Sequence, residues 1–158
     1  MKVQIKRDKT FKPVTIERNE MNITEKTNRG LWYFAHPYTC KDEKGRYVPE
    51  GEEANFNLCN IRASELLIRG YNIYAPISHT HPIHRACPEF LRRHEHELWY
   101  QLDNEFIDKV EWKGIILAPG WEKSSGCIAE RNRIEAKGLK VLLYSDIVKE
   151  TDNASTGK

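Results

Sequence analysis

The chain has 158 residues with 25 basic and 23 acidic side chains and a net charge of +2, enough for one domain that buries roughly 70% of its unfolded surface. So balanced a charge excludes the strong positive field of a polyanion binder, and no nucleic-acid partner is expected. No apolar run approaches the roughly 20 residues that span a bilayer, and the first residues lack the apolar core of a secretory signal, so a soluble protein with no membrane partner is expected.

Residues 1–30 alternate short apolar groups with charge, and hold eight Lys/Arg against four Asp/Glu. They read as a strand-like arm outside the main core, with Pro13 confining any strand to an edge. Leu31-Trp32-Tyr33-Phe34-Ala35 is a continuous apolar run, as a strand buried on both faces requires, and His36-Pro37-Tyr38-Thr39 ends it. A long charged loop follows. Phe56, Cys59, Ala63, Leu66 and Leu67 fall at helical spacing over 53–69, with Gly70 placed to end the helix. Strand 71–75 stops at Pro76, and residues 77–81 read as its polar exit loop.

Leu91, His94, Leu98, Leu102 and Phe106 then mark a helix over 90–110, before strand 114–118, helix 125–137 and strand 140–144. The order is β-α-β-α-β-α-β. Right-handed crossovers turn that order into an α/β fold: an open parallel sheet of four to five strands with helices on both faces, Rossmann or flavodoxin-like. The expected organisation is an arm over 1–30, one α/β domain over 31–146 and a disordered tail over 147–158. Cys40, Cys59, Cys87 and Cys127 are scattered with no C-x-x-C pair, so reduced thiols and a cytoplasmic location are expected.

Three strand ends lead into polar loops at one edge of this sheet: 36–39, 77–81 and 119–125. Ligands of open α/β sheets bind in the crevice beyond the strand carboxyl ends, where helix N-termini offer unpaired N–H groups. Glu130 lies in the early turns of the helix after the third strand, and Asp103 on the helix before it. Two carboxyl groups meeting at that edge would suit glycosidic-bond cleavage, one at the anomeric carbon and the other managing the leaving-group proton. Trp121 precedes the helix and is the tryptophan best placed to stack on a base.

The segments Y-F-A-H-P-Y-T at 33–39, R-G-Y-N-I-Y-A-P-I-S-H at 69–79, Trp99 with Asp103, and G-W-E-K-S-S-G-C-I-A-E at 120–130 resemble the nucleoside 2-deoxyribosyltransferase superfamily, and within it a poorly characterised subgroup. The resemblance covers about residues 31–144, and its most specific piece is the S-x-G-x-x-x-E pattern of Ser124, Gly126 and Glu130. It implies an enzyme that releases or exchanges the base of a nucleoside or nucleotide, as an N-glycosidase or a 2-deoxyribosyltransferase. Glu130 takes the role of nucleophile at C1′, Asp103 holds the sugar and manages protons, and Tyr33 and Tyr38 position the nucleophile or contact the sugar. His36, Pro37, His79, His81, Ser124, Ser125 and Gly126 are further substrate-binding candidates. The resemblance implies no cofactor, and a homo-oligomer. Ser124 stands where the transferases carry Asp, as in the branch that hydrolyses nucleoside 5′-monophosphates; His36-Pro37-Tyr38-Thr39 lacks the glycine-rich phosphate loop of that branch.

Rival readings attach to the same residues. Five of the six histidines lie within residues 79–96, and His79, His81, His84 and Cys87 supply nitrogen and sulfur donors for a zinc-stabilised interaction domain. The spacing fits no common zinc module, so no metal is the primary expectation. Cys127, at a helix N-terminus, has the position of an activated thiol, but no histidine is fixed beside it in sequence and its place on the helix suits packing. Ser124 also suits a plain helix N-cap. A pocket that binds a nucleotide without chemistry would make the chain a sensing module.

Overall fold

The computed structural model describes residues 30–86 and 88–155, with side chains over 30–86 and 97–149. Its elements are β1 (Leu31–Ala35), α1 (Pro49–Ile68), β2 (Asn72–Tyr74), α2 (Pro76–Ala86), α3 (Pro88–Lys109), β3 (Trp112–Leu117), a 3-10 turn (Trp121–Lys123), α4 (Ser125–Glu135), β4 (Lys140–Leu143) and α5 (Tyr144–Ser155). The four strands form one sheet in the order β2-β1-β3-β4, with every pair parallel. This is the open α/β sheet expected, Rossmann-like and covered on both faces. The arm expected over 1–30 lies, apart from Gly30, outside the described residues.

Alternation along β1 divides the core in two. Trp32 and Phe34 face α1 and α5, where they pack with Cys59, Ala63, Leu66 and Ile147. Tyr33 and Ala35 face α3 and α4, where they pack with Ile107, Cys127 and Ile134. Both faces of β1 are closed, which is why its sequence is an unbroken apolar run. Leu67 and Leu98, expected inside, are 53% and 38% exposed; each sits at the margin of its helix's apolar stripe.

One irregularity sets the phase of β3. Leu31 pairs with Trp112 but Trp32 pairs with Gly114, so Lys113 is an extra residue. The bulge puts Trp112 on the same face as Ile115 and Leu117, which strict alternation would forbid. Trp112 Nε1 donates to the Phe106 carbonyl at 3.1 Å and ties the strand to the end of α3.

Two expectations are corrected. Residues 77–81 are not a loop: Pro76 opens α2 instead of closing a strand. Proline fits a first helical turn, where its missing N–H costs nothing, and the inward side of α2 is made of His81 and His84, so hydropathy shows no apolar stripe. Nor do residues 147–155 form a disordered tail. They continue α5, which starts directly from β4 and is anchored by Ile147, 7% exposed. Among the described residues no helix is long and apolar enough to cross a membrane.

A Cβ at Gly114 would overlap the Lys140 carbonyl and lie 2.8 Å from the Trp32 ring. Gly114→Ala is therefore expected to cost about 2–3 kcal/mol and lower Tm by about 5–10 °C in thermal unfolding. An unchanged Tm would show that β3 and β4 can separate without loss.

Candidate active site

The chain moves from β1 outward to β2 and then back across β1 to β3, so the strand order reverses beside β1. A crevice opens at that switch point, beyond the strand carboxyl ends. Ala118 N–H donates to the Ala35 carbonyl at 2.9 Å, holding the two exit segments together. Gly120, with φ of 88°, turns the chain after β3 in a conformation that side-chain-bearing residues avoid. Ser124 then caps α4 by accepting the Cys127 N–H at 3.4 Å.

This turn delivers Glu130 to the top of the sheet. Tyr33, fully buried on β1, donates its hydroxyl to Glu130 Oε1 at 2.8 Å. The Tyr33 ring is held edge-on by Trp112, 5.3 Å between centroids, so the hydroxyl has little freedom. Asp103 approaches from α3. Asp108 binds Arg133 on α4 and, at 3.0 Å, Lys137 Nζ just beyond it, which joins α4 to α3 at the surface.

Burial governs the electrostatics. The Glu130 carboxyl is pushed up to about 8, by desolvation first and by the Asp103 charge second, with the Tyr33 hydroxyl opposing both. Asp103 is pushed up to about 7 by burial. Its Oδ1 is buried with no hydrogen-bond partner among the described residues, and so is the hydroxyl of Tyr74. Tyr74 is itself raised to about 12 by burial and then by Asp103. Two carboxyl groups in one half-buried site, each raised in pKa, hold fewer than two charges near neutral pH.

The cavity above them is about 490 Å³, the size of a small-molecule site. It is lined by Trp99 and Asp103 of α3, by His36, Pro37 and Tyr38 after β1, and by Ser124, Ser125, Gly126 and Glu130 at α4. His81 and His84 reach in from α2, both nearly buried. His36 lines the cavity but spends both ring nitrogens internally. Its Nδ1 donates to the Pro37 carbonyl at 2.8 Å and its Nε2 accepts from Arg62 at 2.9 Å. Burial lowers its pKa, which keeps it neutral.

Three sequence candidates do not line the cavity: Tyr33 is fully buried and reaches Glu130 instead, and two others lie elsewhere. His79 is exposed on α2 and does not line the cavity. Trp121 packs on the core and under the Arg131 guanidinium, 5.4 Å from its ring centre, and is not a cavity wall. Of the zinc set, His81 binds Tyr38 and Glu53, His84 lines the cavity with it, His79 is exposed, and Cys87 lies outside the described residues. Among the described residues no three His, Cys, Asp or Glu side chains are grouped to hold an ion. Cys127 is no activated thiol, since burial pushes it up to about 12.

Sequence reasoning missed Lys41, Tyr47, Thr80 and Lys123, which line the cavity, and Glu53 and Arg62, which hold its histidines. The charged loop after β1 carried the signal for the first two. Asp42 accepts the N–H groups of Lys44 and Arg46 at 2.9 Å, and Lys41 pairs with Tyr47, so the loop folds back over the site. Nothing in the pattern marked Glu53 or Arg62, which look like solvated helix positions.

A family model described as Domain of unknown function (DUF1937) matches residues 30–146. No curated protein matches the chain.

The folded state prefers protonated Glu130, whose ordinary value of 4.5 rises to about 8. Its contribution to stability is therefore full below pH 4.5 and lost as pH rises through 8. Glu130→Gln keeps the acceptor for Tyr33 and removes the charge. It is expected to stabilise the protein by about 2 kcal/mol near pH 8.5, a Tm rise of about 4–8 °C, with no gain near pH 4.5. Equal Tm values for the two proteins across that range in differential scanning fluorimetry would contradict the buried-charge account.

Proposed function

The chain belongs to the DUF1937 family, and we propose that this member cleaves the N-glycosidic bond of a nucleoside or nucleotide through Glu130. The observation that supports this reading best is the Tyr33 to Glu130 hydrogen bond of 2.8 Å at a cavity that also contains Asp103. A carboxylate aimed by a rigid tyrosine, beside a second carboxyl group with a raised pKa, has the parts of a double-displacement glycosidase. The resemblance to the nucleoside 2-deoxyribosyltransferase superfamily assigns the same two residues.

Glu130 attacks C1′ as the base departs, and Asp103 donates its proton to the base. The Tyr33 hydroxyl lowers the nucleophile's pKa and fixes which oxygen is free to attack. Near neutral pH the two acids share one proton. The developing positive charge on the sugar favours the anion on Glu130, which leaves that proton on Asp103. No metal or cofactor is required by this scheme.

Ser124, where the transferases have Asp, favours water as the acceptor. Lys41, Lys123 and Ser125 reach the same cavity, and ammonium groups beside a helix start suit a phosphate. Nucleoside 5′-monophosphates are thus the first substrates to test. The proposal includes a homo-oligomer in the cytoplasm, on the strength of the resemblance and the unpaired thiols.

A screen of common nucleosides and monophosphates, read by chromatography of the free base, is expected to find at least one substrate. Glu130→Ala should lower that release by roughly 10³-fold or more. Unchanged release would remove Glu130 from the chemistry, and tight nucleotide binding with no release would make the chain a binding module. The wild-type kcat/KM should be bell-shaped with limbs near 7 and 8, where the acids titrate. Asp103→Asn should cost about 100-fold, abolish the alkaline limb and move the acid limb to lower pH, because the neighbouring charge that raises Glu130 is gone.

A further inference from the structure

A second polar chain reaches the same cavity through Tyr38. Tyr38 Oη is 2.8 Å from His81 Nδ1, and His81 Nε2 is 3.0 Å from Glu53 Oε2. Phe56 stacks on the imidazole with ring centres 4.1 Å apart. Asn55 donates to the Tyr38 carbonyl at 2.8 Å. The first turns of α1 therefore hold both rings in place.

Glu53 decides the tautomer. An ionised carboxylate only accepts, so His81 donates from Nε2; in the neutral ring Nδ1 is then an acceptor and takes the Tyr38 proton. With its proton directed to His81, the Tyr38 oxygen offers lone pairs to whatever occupies the cavity. This is the logic of a hydroxyl, an imidazole and a carboxylate acting in series.

The two ends of the chain open onto different surroundings. Tyr38 lines the cavity that contains Glu130. His81 is 5% exposed, whereas the Glu53 side chain is 48% exposed. A shallow outer cavity lined by Glu53, Phe56, His81 and Arg85 brings water to that outer end. A buried histidine could be satisfied by any two partners; this one joins a substrate cavity to solvent.

We propose that Tyr38, His81 and Glu53 form a proton relay that activates the water resolving the glycosyl-Glu130 intermediate. The inference rests on the reading of Glu130 as glycosyl nucleophile. In the step, the water oxygen bonds to C1′ and the bond from C1′ to the Glu130 oxygen breaks, its electron pair restoring the carboxylate. One water proton passes to the Tyr38 oxygen as the Tyr38 proton passes to His81 Nδ1. Glu53 stabilises the imidazolium until a proton leaves to solvent, and Asp103, left ionised when the base departed, takes a proton back from solvent. The other proton stays on the sugar as its new C1′ hydroxyl. Tyr38 is the catalytic residue of this half-reaction, and His81 and Glu53 are positioning residues.

The test is rapid-quench base release combined with intact-protein mass spectrometry, on the full chain with the best substrate of the screen. Tyr38→Phe should release about one equivalent of base per site in a burst and then turn over about 100-fold more slowly than wild type. The protein should carry the mass of one glycosyl group. His81→Gln should behave alike, and Glu53→Gln should lose about 10-fold. Azide, a nucleophile that needs no base, should restore turnover of Tyr38→Phe. A first turnover as slow as the later ones, or steady-state turnover equal to wild type, would overturn the relay. If the wild-type protein releases no base from any compound, the reading of Glu130 fails; if it turns over and Tyr38→Phe shows no burst, the relay alone fails.

Discussion

Taking a carboxylate out of water is costly, and a fold that does so twice in one place must compensate. Here Glu130 accepts a directed hydrogen bond from Tyr33, while Asp103, whose Oδ1 has no partner among the described residues, is raised toward its neutral form. The desolvation that raises both acids is the same desolvation that packs Tyr33, Trp112 and Ile107 into one face of the sheet. The electrostatics of the site are therefore a property of the core. Any change that loosens that face also lets water reach the carboxyl pair and returns the acids toward ordinary behaviour.

The two faces of the sheet have different tasks. The face covered by α3 and α4 carries the acids, each helix contributing one, with Asp108 clamping the pair of helices. The other face is covered by α1 and α5, and α1 extends past the sheet to hold histidines of the cavity. Arg62 fixes His36 and Glu53 fixes His81. One helix thus sets the state of two imidazoles, the first neutral and fully engaged, the second engaged at both nitrogens but open to the cavity.

Much of this was legible in the residues. The apolar run of β1, the helical spacing around Cys59 and Leu66, and the strand-turn-helix passage into Glu130 are local patterns, and local patterns survive folding. What escaped were features whose partners are distant in sequence. α2 has an inward side of histidines, which hydropathy scores as polar, so it reads as a loop. Glu53 and Arg62 are charged residues on a helix, and their role depends on rings 28 and 26 positions away. Trp121 has the chemistry to stack on a base and His79 follows from the resemblance, but an adjacent arginine and a half-turn of helix place them outside the cavity.

The bulge at Lys113 has a reach beyond its own strand pair. Because one extra residue shifts the alternation of β3, Trp112 lies beside Tyr33 instead of on the far face. A strand of regular register would carry the indole to the other layer and leave the phenol without its lateral wall. The aim of the hydroxyl at the carboxyl edge is thus inherited from an insertion near the amino end of β3. In a family of such chains, the length of this strand would be under stricter control than its composition.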